Sequence, residues 1–202
     1  MILKSDIFVS LDLIELNLLP IGWEEEIFNI SQNNSTQVHL DGTHITSREP
    51  KNTPGMDVYM VEGSIIKDQL NWLYMLYSNQ ILDFANQYFD GNFECSESLD
   101  SAITLNALRG KYSRYELHVD SNPMTGLLFA TTHTEEDGGE LLFVHNDKKI
   151  VVNPKSGTLL LFDGRGIPHT VLPLKNDSVR ISIPMNYYFE NQQQSEWFNQ
   201  KT

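Results

Sequence analysis

The second half of the chain alternates short apolar runs with clusters of turn residues. About eight such runs are rich in Val, Ile, Leu, Thr, Phe and Tyr, a pattern typical of β-strands. They span residues 102–108, 115–119, 126–132, 140–144, 149–152, 158–162, 170–174 and 180–189. Turn sequences such as Ser121-Asn122-Pro123 and Asp137-Gly138-Gly139 separate them. Because no helical pattern lies between these strands, we predict an antiparallel jelly roll, a double-stranded β-helix of the cupin type.

The first hundred residues carry a different pattern. In residues 64–89 apolar positions such as Ile66, Leu70 and Leu73 recur three and four apart, which predicts an amphipathic helix or a pair of helices. We expect this helical part to support one sheet of the jelly roll. The predicted fold class is therefore mostly β with supporting helices.

Less regular segments precede the helical part. Residues 1–30 predict a strand or irregular edge, then a turn and a second short element, and residues 31–57 predict a long polar loop or a loose hairpin. We expect one domain over residues 1–202. Within it, residues 1–100 would form a helical and substrate-lid region, and residues 101–190 the jelly-roll core.

Composition narrows the choice of partners and compartment. The 202 residues include 14 Lys and Arg against 27 Asp and Glu, a net charge of -13, which argues against nucleic acid as a substrate. The single cysteine, Cys95, cannot form an internal disulfide, which fits a reducing compartment. Charged residues such as Lys4 and Asp12 interrupt every N-terminal apolar run. We expect a soluble, cytoplasmic protein that does not associate with membranes, and we make no prediction of its oligomeric state.

Two histidines and an aspartate are the candidate metal ligands. His118 and Asp120 are two residues apart at the end of a predicted strand, so their side chains point to the same face. His169 lies at the start of a later strand and could complete a 2-His-1-carboxylate facial triad, the ligand set of non-haem Fe(II) oxygenases. The pair alone is a weak signal, because such residues are more often a surface pair.

An arginine downstream of this triad strengthens the prediction. Arg180 begins the strand that follows His169, and Ser182 shares its strand face. The planar guanidinium binds a carboxylate through two parallel hydrogen bonds, and a serine hydroxyl adds another donor. We expect these two residues to bind the distal carboxylate of 2-oxoglutarate, whose other end would chelate the iron.

The segments that carry these residues resemble the Fe(II)/2-oxoglutarate dioxygenases of the prolyl-4-hydroxylase-like superfamily. They are Tyr115-Glu116-Leu117-His118-Val119-Asp120, Gly138-Gly139-Glu140-Leu141, residues 154–162, His169-Thr170-Val171-Leu172-Pro173-Leu174 and Arg180. The resemblance covers roughly residues 102–189. It implies that His118, Asp120 and His169 bind Fe(II), that Arg180 anchors 2-oxoglutarate, and that Tyr115 lines the pocket.

The resemblance also implies a reaction. Enzymes of this superfamily use O2 to hydroxylate a C–H bond, and they release succinate and CO2. Collagen-type prolyl 4-hydroxylases usually have lysine at the position of Arg180, and they tend to have tyrosine at the position of Arg109. The resemblance is therefore to the superfamily rather than to that branch, and proline is one candidate substrate among several.

Four further residues are weaker candidates. Asn106 is a candidate contact to a cosubstrate carboxylate if its side chain points inward, and a solvent-facing position is equally compatible with the pattern. Arg165, Arg109 and Arg48 are candidate substrate contacts. Arg165 could bind an anionic group of the substrate, with a solvated loop charge as the alternative, and Arg48 belongs to the polar loop that could serve as a lid. We expect His133 and His145, which lie in turn-rich stretches, at the surface.

These observations predict a hydroxylase of an aliphatic C–H bond. Its substrate would be a free amino acid, another small metabolite, or a peptidyl residue, with prolyl as one candidate. The alternative is a cupin-like module that binds a metal or a small acid without turnover. Arg180 discriminates between the two, because a pure metal-binding module needs no carboxylate anchor.

Overall fold

The structure is a computed structural model that describes residues 2–40 and 56–190. The strands are β1 (Ile2–Lys4), β2 (Phe8–Asp12), β3 (Thr36–Leu40), β4 (Met56–Val61), β5 (Phe93–Cys95), β6 (Leu105–Arg109), β7 (Tyr115–His118), β8 (Met124–Phe129), β9 (Leu141–His145), β10 (Lys148–Val152), β11 (Thr158–Asp163), β12 (His169–Val171) and β13 (Val179–Phe189). The helices are α1 (Trp23–Asn34), α2 (Gly63–Gln69), α3 (Asn71–Leu76), α4 (Leu82–Tyr88) and α5 (Leu99–Ala102), with a π-helical turn at Tyr77–Ile81.

Two antiparallel sheets form the fold. The larger sheet has nine strands in the order β1-β2-β11-β8-β13-β6-β4-β3, with β5 also paired to β13. The smaller sheet has four strands in the order β10-β9-β12-β7. This arrangement confirms the predicted jelly roll. In the part of the chain that the structure describes, no helix is long and apolar enough to cross a membrane.

The central strands of the larger sheet, such as β8 and β11, are buried on both faces. In β11, Leu160 and Phe162 pack between the two sheets, whereas Leu159 and Leu161 pack against the helices. The continuous apolar sequence of β11 follows from this double burial, since successive side chains point to opposite faces. Strand β13 differs, because only one of its faces is apolar.

The apolar face of β13 belongs to the hydrophobic core between the larger sheet and the helices. Its residues are Ile181, Ile183, Met185 and Tyr187, which share that core with helical residues such as Ile66. The opposite face of β13 is therefore directed into the space between the sheets, where it presents polar side chains. The predicted helical segment is confirmed, and it is interrupted at Leu70, whose backbone departs from helical dihedrals (φ -125, ψ 51).

The first hundred residues contribute more β-structure than the sequence indicated. Strand β2 pairs with β11, and β4 pairs with β6, so both extend the larger sheet. The second short element predicted near residue 23 is the helix α1. Strands β3 and β4 pair as a hairpin, as one alternative for residues 31–57 predicted, and residues 41–55 lie outside the described part.

Three strand boundaries were predicted three residues away from where they lie. The strands expected to end at residues 132 and 174 end at Phe129 and Val171. The strand expected from residue 102 begins at Leu105, because residues Leu99–Ala102 form the short helix α5. The small residue Ala102 is buried at the end of this helix. An apolar run cannot by itself distinguish a buried helical turn from a buried strand.

Candidate active site

A pocket opens between the two sheets, and its lining includes all the residues predicted to bind the metal or 2-oxoglutarate. The three candidate metal ligands, His118, Asp120 and His169, lie at one end. The other predicted residues along the wall are Arg180, Ser182, Tyr115 and Asn106. The inner face of β13 and the facing strands β7 and β12 therefore bring together residues that are distant in the sequence.

Strand pairing places the two histidines side by side. His118 ends β7 and His169 begins β12, and the two are direct partners in the antiparallel register. Their ring centroids are 4.4 Å apart. The turn before β12 is closed by a hydrogen bond from the Gly166 N–H to Asp163 Oδ1 (2.8 Å), which helps to hold His169 at the start of the strand. Asp120 follows the end of β7, and its N–H donates to the carbonyl of Gly164 (2.8 Å).

The ligand atoms of the three residues converge on one point. Asp120 Oδ1 is 3.6 Å from His118 Nε2 and 3.7 Å from His169 Nε2. All three ligand atoms lie within 4.8 Å of one another, and the histidines are buried. Two imidazole nitrogens and one carboxylate oxygen are a suitable donor set for a divalent transition metal such as Fe(II).

Backbone carbonyls orient both imidazole rings. His118 Nδ1 is 2.7 Å from the carbonyl oxygen of Glu116, and His169 Nδ1 is 2.9 Å from that of Ile167. A carbonyl can only accept, so each Nδ1 carries the proton and each Nε2 presents a lone pair to the centre. This is the usual arrangement around histidines that bind metals.

Arg180 is a buried cation at the other end of the pocket, six residues along β13 from Asn186, the register partner of the Thr125 that contacts Asp120. Its side chain is 1% exposed, and its Nε donates to the carbonyl of Gly139 (2.8 Å), while Nη1 donates to Ser182 Oγ (3.0 Å). Its Nη2 has no hydrogen-bond partner within residues 2–40 and 56–190. Burial lowers the pKa of Arg180 to about 10, so the guanidinium is still charged at neutral pH.

A buried charge without a counter-ion requires explanation. Among the described residues, no ion pair involves Arg180. Isolated buried charges are costly, and an unsatisfied donor adds to that cost. An anionic ligand in the pocket would satisfy both the charge and the free Nη2.

Two polar residues extend the wall of the pocket. Asn106 Nδ2 donates to Tyr115 Oη (3.2 Å), and Asn106 Oδ1 is buried without a partner among the described side chains and backbone groups. Asn106 thus faces the pocket, and the solvent-facing alternative is excluded. Tyr115 lines the pocket near His118, with ring centroids 5.8 Å apart.

Two of the weaker arginine candidates, Arg109 and Arg165, do not line the pocket. Arg109 instead donates from Nη2 to the carbonyl of Ser31 (2.6 Å) near the end of α1, and its guanidinium lies 4.3 Å from the ring centroid of Tyr59. Arg165 donates from Nε to the carbonyl of Ser121 (2.7 Å) and is absent from the pocket lining. Arg48 lies outside the described residues.

One histidine is placed differently from the prediction. His133 is 5% exposed, and its Nε2 is 3.2 Å from the carbonyl oxygen of Val179. The turn-rich sequence around His133 suggested the surface, but this loop packs under the start of β13. His145, which ends β9, is partly exposed.

Sequence reasoning also missed pocket residues. Thr125 and Asn186 line the pocket, together with Thr104. Asn186 could have been found from the alternation of β13, since positions 180, 182 and 186 share one face. Thr125 has no such signal, because its importance comes from a contact with Asp120 across a turn.

Comparisons with known proteins give a family match and a shared fold. Residues 103–188 match the family model described as the 2OG-Fe(II) oxygenase superfamily. A comparison with curated protein sequences gave no significant match. The match over residues 103–188 supports a 2OG-Fe(II) oxygenase superfamily assignment and is consistent with a 2-oxoglutarate-dependent iron oxygenase.

Solved structures share the fold at low sequence identity. A 2OG-Fe(II) oxygenase family oxidoreductase from Burkholderia pseudomallei is 14% identical with a TM-score of 0.66, over 92% of this chain and 87% of its own. A prolyl hydroxylase from Trichoplax adhaerens, solved with a peptide fragment of hypoxia inducible factor, is 14% identical with a TM-score of 0.69, over 98% and 88%. The epimerase SnoN from nogalamycin biosynthesis is 12% identical with a TM-score of 0.64, over 91% and 78%. These likenesses show the fold, and the reactions of these proteins differ.

Proposed function

We propose that this protein is an Fe(II)- and 2-oxoglutarate-dependent hydroxylase of an aliphatic C–H bond. In this proposal His118, Asp120 and His169 hold the metal, and Arg180 with Ser182 binds the distal carboxylate of 2-oxoglutarate. The observation that carries it is the buried guanidinium of Arg180, whose Nη2 has no partner among the described residues, in the same pocket as three convergent metal ligands.

The metal end suits a cofactor that must keep open coordination positions. Each imidazole has its Nδ1 occupied by a carbonyl, so each contributes a single ligand atom. Three protein ligands on one side leave room for a chelating acid and for O2. When bound, iron and 2-oxoglutarate together supply the oxidant for the C–H bond, and succinate and CO2 are the by-products.

The anchor end suits one carboxylate. The fork of Arg180 is held by Gly139 and Ser182, so its direction is set before any ligand arrives. A carboxylate at Nη2 would also reach the hydroxyl of Ser182, which can turn to donate to it. Tyr115 and Asn106 stand beside this position and are proposed to contact the cosubstrate.

The rest of the pocket favours an uncharged part of a substrate. Apart from Asp120, Arg180 and the two histidines, the described lining residues are all neutral, and they include Thr104 and Asn186. Such a lining suits a small polar metabolite, a free amino acid or a peptide segment. The peptide in the Trichoplax prolyl hydroxylase structure makes a peptidyl residue, with prolyl as one example, one of these candidates.

The test is succinate formation by the purified protein. Free amino acids, proline-containing peptides and small metabolites are screened with Fe(II), 2-oxoglutarate and air, and mass spectrometry locates the added oxygen. We expect one class to release succinate and to gain one oxygen atom. Omission of iron, 2-oxoglutarate or O2 should each stop the reaction.

A matched variant separates hydroxylation from simple binding. Asp120→Ala should retain the fold but release no succinate. If iron-loaded wild-type protein binds 2-oxoglutarate and releases no succinate with any class, with or without substrate, the hydroxylase proposal fails. A binding module would then be the better description.

A further inference from the structure

A threonine outside the metal-ligand set contacts the carboxylate of Asp120. Thr125 lies on the inner face of β8 and is 3% exposed. Its Oγ1 donates to Asp120 Oδ2 at 2.5 Å, a short charge-assisted hydrogen bond. The other oxygen of this carboxylate, Oδ1, is the one that faces the two histidines.

The direction of this hydrogen bond follows from its neighbours. Asn122 Nδ2 is 2.7 Å from the carbonyl oxygen of Met124, which can only accept, so the amide nitrogen must be the atom on that side. The same Nδ2 donates to Thr125 Oγ1 (2.8 Å). Because the Thr125 hydroxyl has one proton and accepts from Asn122, that proton is directed at Asp120.

Close packing keeps this network in place. Gly164 lies against it, and a Cβ atom there would come within 2.5 Å of Thr125 Oγ1 and 3.0 Å of Asp120 Cβ. The carbonyl of Gly164 also accepts the hydrogen bond from the Asp120 N–H. Both the backbone and the side chain of Asp120 are therefore fixed by neighbouring residues.

We propose that Thr125 is a positioning residue that makes Asp120 a single-oxygen ligand. Its hydroxyl occupies Oδ2, so only Oδ1 is presented to the metal, and the carboxylate cannot turn to chelate it through both oxygens. This leaves a position open for 2-oxoglutarate or O2. The inference rests on the proposed function of the triad as a metal site.

Two substitutions isolate the hydroxyl. Thr125→Val keeps the shape of the side chain and removes the donor, whereas Thr125→Ser keeps the donor and removes a methyl group. Mutation of a residue that hydrogen-bonds to a metal ligand typically lowers metal affinity by about 10- to 100-fold. We expect Thr125→Val to weaken Mn(II) binding by about that factor, and Thr125→Ser to stay within about threefold of wild type.

The measurement does not depend on turnover. Free Mn(II) is followed by its electron paramagnetic resonance signal during titration of metal-free protein, and the thermal unfolding of each metal-free variant shows that it is folded. A second titration adds 2-oxoglutarate to the Mn(II)-loaded proteins. We expect Thr125→Val, saturated with Mn(II), to bind 2-oxoglutarate about tenfold more weakly, because a chelating carboxylate would occupy its position.

The possible outcomes separate this inference from the proposal on which it rests. If Asp120→Ala loses Mn(II) binding but Thr125→Val binds both ligands as wild type does, the role of Thr125 is refuted and the metal site stands. If Thr125→Ser is as weak as Thr125→Val, the hydroxyl is not the cause and the inference also fails. If Asp120→Ala binds Mn(II) as wild type does, the metal assignment itself is refuted.

Discussion

The two ends of the pocket differ in whether their buried polar and charged groups have partners. At the metal end, every polar atom of the triad that turns away from the centre has a partner: two backbone carbonyls for the imidazoles and Thr125 for the carboxylate. At the anchor end, Arg180 is a buried cation that pairs with no acid among the described residues, and its Nη2 is unsatisfied.

This difference predicts how ligand binding and folding stability are related at each end. The metal end is oriented in advance by bonds that also stabilise the fold, so loss of one ligand should damage binding more than folding. The anchor end holds a charge that burial disfavours, as the lowered pKa of Arg180 shows. Binding of a carboxylate would remove that penalty, so the affinity for the anion is linked to the stability of the protein.

The largest effect is expected from loss of the metal carboxylate. Asp120→Ala removes the charged ligand, and we expect Mn(II) affinity to fall by more than about 100-fold and succinate formation to reach background. Metal titration and succinate release measure the two effects. Asp83→Ala, on the exposed surface of α4, is the control and should change neither. Normal turnover by Asp120→Ala would contradict the role of the metal end.

Arg180 should behave in the opposite way, with function lost and stability kept. Arg180→Met removes the buried charge, and we expect 2-oxoglutarate to give no thermal shift, while the metal-free protein unfolds at no lower temperature than wild type. In wild type, 2-oxoglutarate at about 100 times its Kd should stabilise the metal-loaded protein by about 2.7 kcal/mol. The sign follows from the lowered pKa: the folded state disfavours the charged guanidinium at every pH below about 10.

A conservative replacement tests the geometry of the same residue. Arg180→Lys keeps the charge and loses the planar fork, so we expect 2-oxoglutarate affinity to fall by about 10- to 100-fold without disappearing. Equal affinity in Arg180→Lys would mean that charge alone is recognised. A lower unfolding temperature of metal-free Arg180→Met, together with 2-oxoglutarate binding as in wild type, would contradict the comparison between the two ends.

The sequence was sufficient for the jelly roll and for the residues that share a strand face. Arg180 and Ser182 were predicted together because β13 alternates between an apolar outer face and a polar inner one. The ligand spacing of His118 and Asp120 was visible for the same local reason. Such features depend on neighbours within a few residues, so periodicity detects them.

Features that depend on contacts between distant segments could not be predicted. Strand β2 joins the larger sheet only through β11, about 150 residues later in the chain. Arg109 seemed a candidate for substrate binding, but its partner is Ser31 near the end of α1. The contact of Thr125 with Asp120 depends on the turn between β7 and β8. No local pattern indicates any of these contacts.

A smaller effect is expected from crowding the anchor end through Gly139. Its φ is +78, and a Cβ there would lie 2.9 Å from Leu174 Cδ2 and 3.0 Å from Arg180 Cδ. Gly139→Ala should lower the stability by about 1–3 kcal/mol and weaken 2-oxoglutarate binding by about tenfold, because Arg180 must shift. Mn(II) affinity should stay at the wild-type value, since the metal end is untouched.

A second glycine provides the control for backbone strain. Gly110 has a φ of +84, and a Cβ there would meet nothing within 4 Å. Gly110→Ala therefore carries a similar conformational cost without the contact to Arg180. We expect it to bind 2-oxoglutarate as wild type does. If both alanine variants lower the affinity for 2-oxoglutarate equally, backbone strain rather than displacement of Arg180 is the cause.

The smallest effect on ligand affinity is expected at Arg109, which lies outside both ends of the pocket. Arg109→Met loses the hydrogen bond to the Ser31 carbonyl and the stacking on Tyr59, so we expect the free energy of unfolding to fall by about 1–2 kcal/mol. Mn(II) and 2-oxoglutarate affinities, measured by the same titrations, should stay within about twofold of wild type. Lys149→Met, at an exposed position of β10, serves as the control for removal of a positive charge. A selective loss of substrate turnover in Arg109→Met, with stability unchanged, would instead return Arg109 to the substrate site and show that the pocket extends beyond the two ends compared above.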